Sequence, residues 1–183
     1  MQFDRPETQA VFEAYAVRDA NEQARLKAQG HAAFASRDEL LLPVGEAVGW
    51  FLHALIVARR PRRILELGTS YGYSTLFMAD AARIVGATVI TMDVADYKQA
   101  YAREQLEAAG LAEQVEFRLG DAVAMTADDP GPIDFALLDI WKELYLPCFE
   151  ALYPKLSEEA MIASDNMIYP EMARPDVRLF RDA

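Results

Sequence analysis

The spacing of apolar residues changes near residue 62, and that change divides the chain into two stretches. In the first, residues 7 to 28 are alanine-rich and polar, with Val11, Phe12 and Tyr15 at helical spacing. This predicts a helix that packs through those three side chains and ends at Gly30. A second helix is predicted over about 44 to 58, too apolar all round to lie on the surface, with Trp50 and Phe51 in the core. After Arg62, β-rich runs recur at Ile64–Leu67, Thr88–Met92, Val115–Leu119, Ile133–Leu138 and Ala160–Ser164. Helix-like segments lie between or after them at about 73–85, 97–109, 121–127 and 143–155. Strand and helix in alternation with short connections predict an α/β fold, a mainly parallel sheet with helices on both faces.

The length of 183 residues suits one domain with a substantial core, with 1–60 as a helical cap and 61–183 as the sheet-bearing part. The formal charge of −11 repels phosphate backbones and disfavours a general nucleic-acid partner. Arg59, Arg60, Arg62 and Arg63 read as solvated cations facing the negative end of a helix dipole. Leu40 to Ala58 is almost wholly apolar, but Pro43, Glu46 and His53 would be costly in lipid, so a buried helix is expected there and no membrane span. The opening MQFDRPETQ lacks a basic-then-apolar leader pattern, which predicts a cytoplasmic location. The single cysteine, Cys148, excludes an intramolecular disulfide and a cysteine zinc cluster, and it has no basic neighbour to make it a nucleophile. His31 and His53 lack matching ligands and read as structural.

In parallel sheets, ligands gather beyond the carboxyl ends of the strands, so the polar residues that end each strand carry the functional signal. The first reads Glu66-Leu67-Gly68-Thr69-Ser70-Tyr71-Gly72-Tyr73-Ser74. A glycine-bearing turn lets a cofactor approach backbone N–H groups at the start of the next helix. Ser70 stands where a dinucleotide fingerprint needs its second glycine, which disfavours a nicotinamide oxidoreductase. Glu66 suits a cationic, amine-bearing ligand better than a phosphate. Asp93 ends the second strand, 25 residues beyond Gly68, where a carboxylate can accept from both ribose hydroxyls or cap the next helix. Asp121, followed by Ala122, can accept from an adenine amino group or serve as an N-cap, and the two roles are compatible. The fourth and fifth ends read Asp139-Ile140-Trp141-Lys142 and Ser164-Asp165-Asn166. Asp, Asp and Asn offer only oxygen ligands, as Mg²⁺ or another hard divalent cation prefers. Read separately, the two aspartates would be N-caps and the lysine solvated.

Asp139-Ile140-Trp141-Lys142-x-x-Tyr145-Leu146-Pro147, with Asp165-Asn166-Met167-Ile168-Tyr169-Pro170, resembles catechol O-methyltransferase and its bacterial metal-dependent relatives. The similarity covers about residues 39 to 170, including the Glu66–Ser74 turn and Val89–Asp93. It implies a Rossmann-like class I methyltransferase fold and transfer of a methyl group from S-adenosylmethionine to a phenolic hydroxyl of a small molecule. Asp139, Asp165 and Asn166 would ligate Mg²⁺, and Lys142 would be the general base. Val44, Glu66, Gly68, Ser74, Asp93, Asp121, Ala122, Asp139 and Trp141 would surround the cofactor. Leu40, Lys142, Asn166 and Pro170 would border the substrate.

The sequence also departs from that family. Leu40 stands where catechol enzymes carry a tryptophan, and Ile140 replaces a histidine. The family fold continues into two further strands, so the chain is expected to be a shortened form of a longer protein. Dimers are common among such relatives. Two other readings remain: a transfer-RNA hydroxyuridine O-methyltransferase, and a non-catalytic protein that retains the fold.

Overall fold

A computed structural model describes residues 1–29, 38–167 and 175–183. Gly30, His31 and Pro170 lie outside the described residues. The sheet has five strands in the order β3-β2-β1-β4-β5: β1 (Arg63–Leu67), β2 (Thr88–Asp93), β3 (Val115–Leu119), β4 (Ile133–Leu138) and β5 (Leu156–Ser164). All four pairings are parallel, and Leu67 sits between Met92 and Leu138 in register. The strand order reverses at β1, so the ends of β1 and β4 flank the point where such sheets place ligands.

Side chains alternate across the sheet and meet a helical layer on each face. Ile64, Val89, Phe135 and Leu137 pack with residues of α1 (Pro6–Gln29), α2 (Glu46–Arg59), α3 (Tyr73–Val85) and α4 (Asp96–Ala108). Leu65, Leu67, Ile90, Met92, Ala136 and Leu138 face α5 (Ala122–Asp128) and α6 (Tyr145–Leu152), and Phe180 of α7 (Pro175–Asp182) joins this side. Val11, Phe12 and Tyr15 are the buried face of α1, as their spacing predicts.

α2 departs from its prediction. Gly49, Trp50, Leu52 and Ile56 are buried, but Val48 and Phe51 project outward, Phe51 with 61% of its surface exposed. The helix is therefore apolar beyond the stripe it buries and is half-exposed. It is fastened to α3 by His53 Nε2, 3.0 Å from an Asp80 carboxylate oxygen. The other Asp80 oxygen accepts two hydrogen bonds from Arg83. Burial raises the Asp80 carboxyl, but the bonds from His53 and Arg83 outweigh it and hold the group below the ordinary carboxylate range. At the foot of the sheet, Arg63 is more than a solvated helix-end cation: with Arg118 it pairs with the buried Asp129 at 3.0 and 2.7 Å. β5 starts four residues before its predicted start, through Leu156-Ser157-Glu158-Glu159, and α6 is shorter than predicted, with a 3₁₀ turn at each end.

Candidate active site

The turn after β1 is built from the strand outward. Glu66 is fully buried and accepts hydroxyl hydrogen bonds from Ser74 (2.5 Å), Thr75 (2.6 Å) and Thr91 (2.6 Å). Burial nevertheless pushes its carboxyl up to about 7, and the Asp93 charge adds to the rise. The Thr69 and Thr91 hydroxyls are 2.7 Å apart, and Gln99 Nε2 donates to Thr69. Glu66 thus ties β1, β2, α3 and the turn together. Gly68 has φ +103°, and a methyl group there would overlap the Asp139 carbonyl oxygen and lie 2.9 Å from its carbon. Four amides of the turn that precede α3 are held within the protein. The N–H groups of Gly68 and Thr69 donate to the Met92 carbonyl, that of Gly72 to the Thr69 carbonyl, and that of Ser70 to the Asp93 carboxylate. With those four amides occupied, the turn is a poor cradle for a pyrophosphate.

Asp93 does not N-cap α4. That position belongs to Ala95, while the second Asp93 oxygen accepts from the Ala95 N–H. Asp121 does N-cap α5, its side chain accepting from the Ala124 N–H at 2.8 Å. Val94, Leu119 and Trp141 are among the exposed large apolar side chains, at the carboxyl ends of β2, β3 and β4. Apolar surface in that position suits the faces of a planar ring.

At the next two strand ends, the Asp139 N–H donates to the Leu67 carbonyl and the Asp165 N–H to the Leu138 carbonyl, both at 3.0 Å. These bonds extend the sheet by one residue and set the two aspartates side by side. Burial pushes the Asp139 carboxyl up to about 7, and the Asp165 charge adds to the rise, whereas the Lys142 amine opposes it. Asn166 has φ +53°, and its amide nitrogen donates to the Asp165 carboxylate. Two crowded carboxylates beside an amide form an oxygen-rich set in which a divalent cation would relieve the repulsion, so the residues fit such an ion. Asn166 would have to turn its amide to present Oδ1. Among the described residues, no group of three or more His, Cys, Asp and Glu side chains forms a metal cluster, so the amide and solvent would complete the ligand set. Lys142 Nζ donates to the Tyr145 hydroxyl at 2.6 Å and to the Asp165 carbonyl at 3.3 Å.

Known proteins resemble this chain in sequence and in fold. Residues 20–176 match the model of the O-methyltransferase family. The chain belongs to that family. Catechol O-methyltransferase of Mus musculus is 32% identical over 146 residues, 75% of this chain and 54% of the relative. The enzyme of that name from Mycobacterium tuberculosis is 33% identical over 141 residues, 75% of this chain and 64% of the relative. The chain thus spans between half and two thirds of the length of these curated relatives. An O-methyltransferase from Bacillus cereus, solved in complex with SAH, superposes with a TM-score of 0.71 at 26% identity, covering 81% of this chain and 73% of that one. The O-methyltransferase TomG from Streptomyces achromogenes, in complex with SAM, gives 0.71 at 29% identity, covering 82% and 74%.

Within this O-methyltransferase fold, Glu66, Gly68, Ser74, Asp93, Asp139, Lys142 and Asp165 gather at one rim of the sheet. Leu40 is buried, with 1% of its surface exposed, and Val44 packs against the core, so neither offers a large open surface. Two tyrosines, Tyr15 read from the sequence only as a packing residue and Tyr145 only as part of the motif, make hydrogen bonds to the strand-end turns. Tyr15 of α1 donates to the Tyr71 carbonyl at 2.6 Å, bracing the turn from above. Tyr145, fully buried, hydrogen-bonds the carbonyls of Leu138 and Asp165, each at 2.9 Å. Burial, with the Asp139 and Asp165 charges behind it, holds the Tyr145 phenol well above its ordinary range, so it remains protonated. Its position three residues after Lys142, one turn of helix, was the available signal. No helix among the described residues is long and apolar enough to cross a membrane.

Proposed function

We propose that this chain moves a methyl group from S-adenosylmethionine to a phenolic hydroxyl of a catechol-like small molecule, with a divalent cation, Mg²⁺ by preference, assisting. The observation that carries the reading is the meeting of Asp139, Asp165, Asn166 and Lys142 at adjacent strand ends beside the Gly68 turn. Asp93, anchored by two backbone N–H groups, would accept from the ribose hydroxyls. Val44, Gly68 and Ser74 would border the methionine portion, with Glu66 acting through Ser74 because it has no exposed surface of its own. Asp121, Ala122 and Trp141 would border the adenine.

Asp139, Asp165 and Asn166 would hold the cation, which when bound lowers the pKa of a phenol attached to it. Lys142 would remove the proton from the reacting hydroxyl and hold it on Nζ. The rim residues contribute orientation, keeping acceptor oxygen and methyl donor in line. Leu40, Asn166 and Pro170 would border the acceptor.

The test is transfer of labelled methyl from S-adenosylmethionine to a panel of catechols, with Mg²⁺ or with EDTA. The expected result is Mg²⁺-dependent product, which Lys142→Ala reduces by about 10²-fold or more while cofactor affinity is kept. Cofactor binding without transfer to any catechol would refute the proposed acceptor class, and transfer that persists in EDTA would refute the cation's role.

A further inference from the structure

Tyr145 opens α6 and has no exposed surface, yet its ring alone accounts for its packing against Phe180, at a centroid distance of 5.5 Å. The hydroxyl is where its position becomes specific. Its oxygen accepts from Lys142 Nζ at 2.6 Å, and its single proton is shared between the carbonyls of Leu138 and Asp165, each at 2.9 Å. Leu138 is the last residue of β4, and Asp165 directly follows β5. One phenol therefore joins the two strand ends that carry the acidic side chains to the amine between them.

A lysine side chain carries about 2 kcal/mol of rotamer entropy, and a base must sit within hydrogen-bond reach of the proton it takes. Lys142 Nζ donates to the Tyr145 hydroxyl at 2.6 Å and to the Asp165 carbonyl at 3.3 Å, so two groups fix where the amine sits.

We propose that the Tyr145 hydroxyl is a positioning group that, together with the Asp165 carbonyl, holds the Lys142 amine in place at the two strand ends. This rests on the methyl-transfer reading given above. Tyr145 touches no reacting atom and acts through Lys142.

Two measurements on the full chain test it, and they fail separately. Trace acetylation followed by peptide mapping gives the reactivity of Lys142 relative to Lys98 and Lys155. Freeing the half-buried, tethered amine in Tyr145→Phe should raise the relative rate of Lys142 by about five-fold or more, with the other two unchanged. An unchanged Lys142 rate would overturn the tether whether or not the chain transfers methyl groups. In methyl transfer, Tyr145→Phe should lower kcat by about ten-fold and leave KM for S-adenosylmethionine alone. In a Lys142→Ala background the same change should cost less than about two-fold, because two residues that act as one unit are not additive. Equal losses in both backgrounds would overturn the proposal and leave the phenol a merely structural role. A parent chain that transfers no methyl group to any acceptor would refute the functional reading, while the labelling still decides the tether.

Discussion

Gly68→Ala isolates a steric contact at the heart of the site. Two costs arise. A non-glycine residue at φ +103° is strained whatever surrounds it, by about 1–2 kcal/mol. The added methyl also collides with backbone, the Asp139 carbonyl, which cannot rotate aside as a side-chain tip can. Overpacking of that kind adds about 1–3 kcal/mol. The total is about 2–5 kcal/mol, a large share of the stability of an ordinary domain. Gly86 supplies the control: its φ is +77°, but a methyl there meets nothing within 4 Å. Gly86→Ala should therefore show the conformational cost alone, about 1 kcal/mol. The assay is urea unfolding of parent and both variants, compared by midpoint at constant slope. Equal losses in the two variants would refute the reasoning, because the Asp139 contact would then contribute nothing.

The remaining predictions concern buried carboxyls. The Glu66 carboxyl is raised from its ordinary 4.5 to about 7, so folding favours its protonated form. That stability is fully present below about pH 4.5 and is lost as pH rises through about 7, a change of about 3 kcal/mol. Glu66→Gln should flatten that part of the urea-midpoint profile, and an unchanged slope would refute the assignment. Asp139 is raised to about 7 beside Asp165, so Asp139→Asn should make the metal-free protein more resistant to urea at pH 8. Mg²⁺ should then stabilise the parent and not the variant; the reverse order would argue against two crowded carboxylates. Asp80 has the opposite sign: its carboxyl is lowered, so its contribution is present above the ordinary carboxylate range and is lost as pH falls through its lowered value. Asp80→Ala should cost about 3 kcal/mol at pH 7, with the difference narrowing in acid, and calorimetry over pH 3 to 7 would read it.

Much of this architecture is legible because its signals are local. Ile64–Leu67 and Ile133–Leu138 are short apolar runs that end in Gly68 and Asp139, so both the strands and the site at their ends can be read from neighbouring residues. β5 is the outer strand beside β4, and the extra residues that lengthen it include Ser157, Glu158 and Glu159, whose polarity hides the strand. Phe51 misleads in the opposite direction, since an apolar residue in an apolar helix gives no sign of which way it faces. Glu66 could be named as a site residue, but not as a buried one. Its hydroxyl donors stand 8, 9 and 25 positions away, and only the closed sheet brings Thr91 to it. The occupied amides of the turn are equally invisible, because the carbonyl of Met92 that takes two of them belongs to another strand.

The fastening of α1 bears on the order in which the molecule can assemble. This helix is made early, yet Thr8 donates to the Ala109 carbonyl, Arg5 to the Gly110 carbonyl and Tyr15 to the Tyr71 carbonyl, across separations of 101, 105 and 56 residues. On a ribosome adding residues in chain order, the helix can reach the β1 turn once Tyr71 has emerged, but its contacts to the α4 end wait for Ala109 and Gly110. Closing loops of that length also slows folding in free solution. The contacts to the α4 end are therefore late events of biosynthesis, and a nascent chain halted before residue 109 would carry the Tyr15 brace on the turn without them.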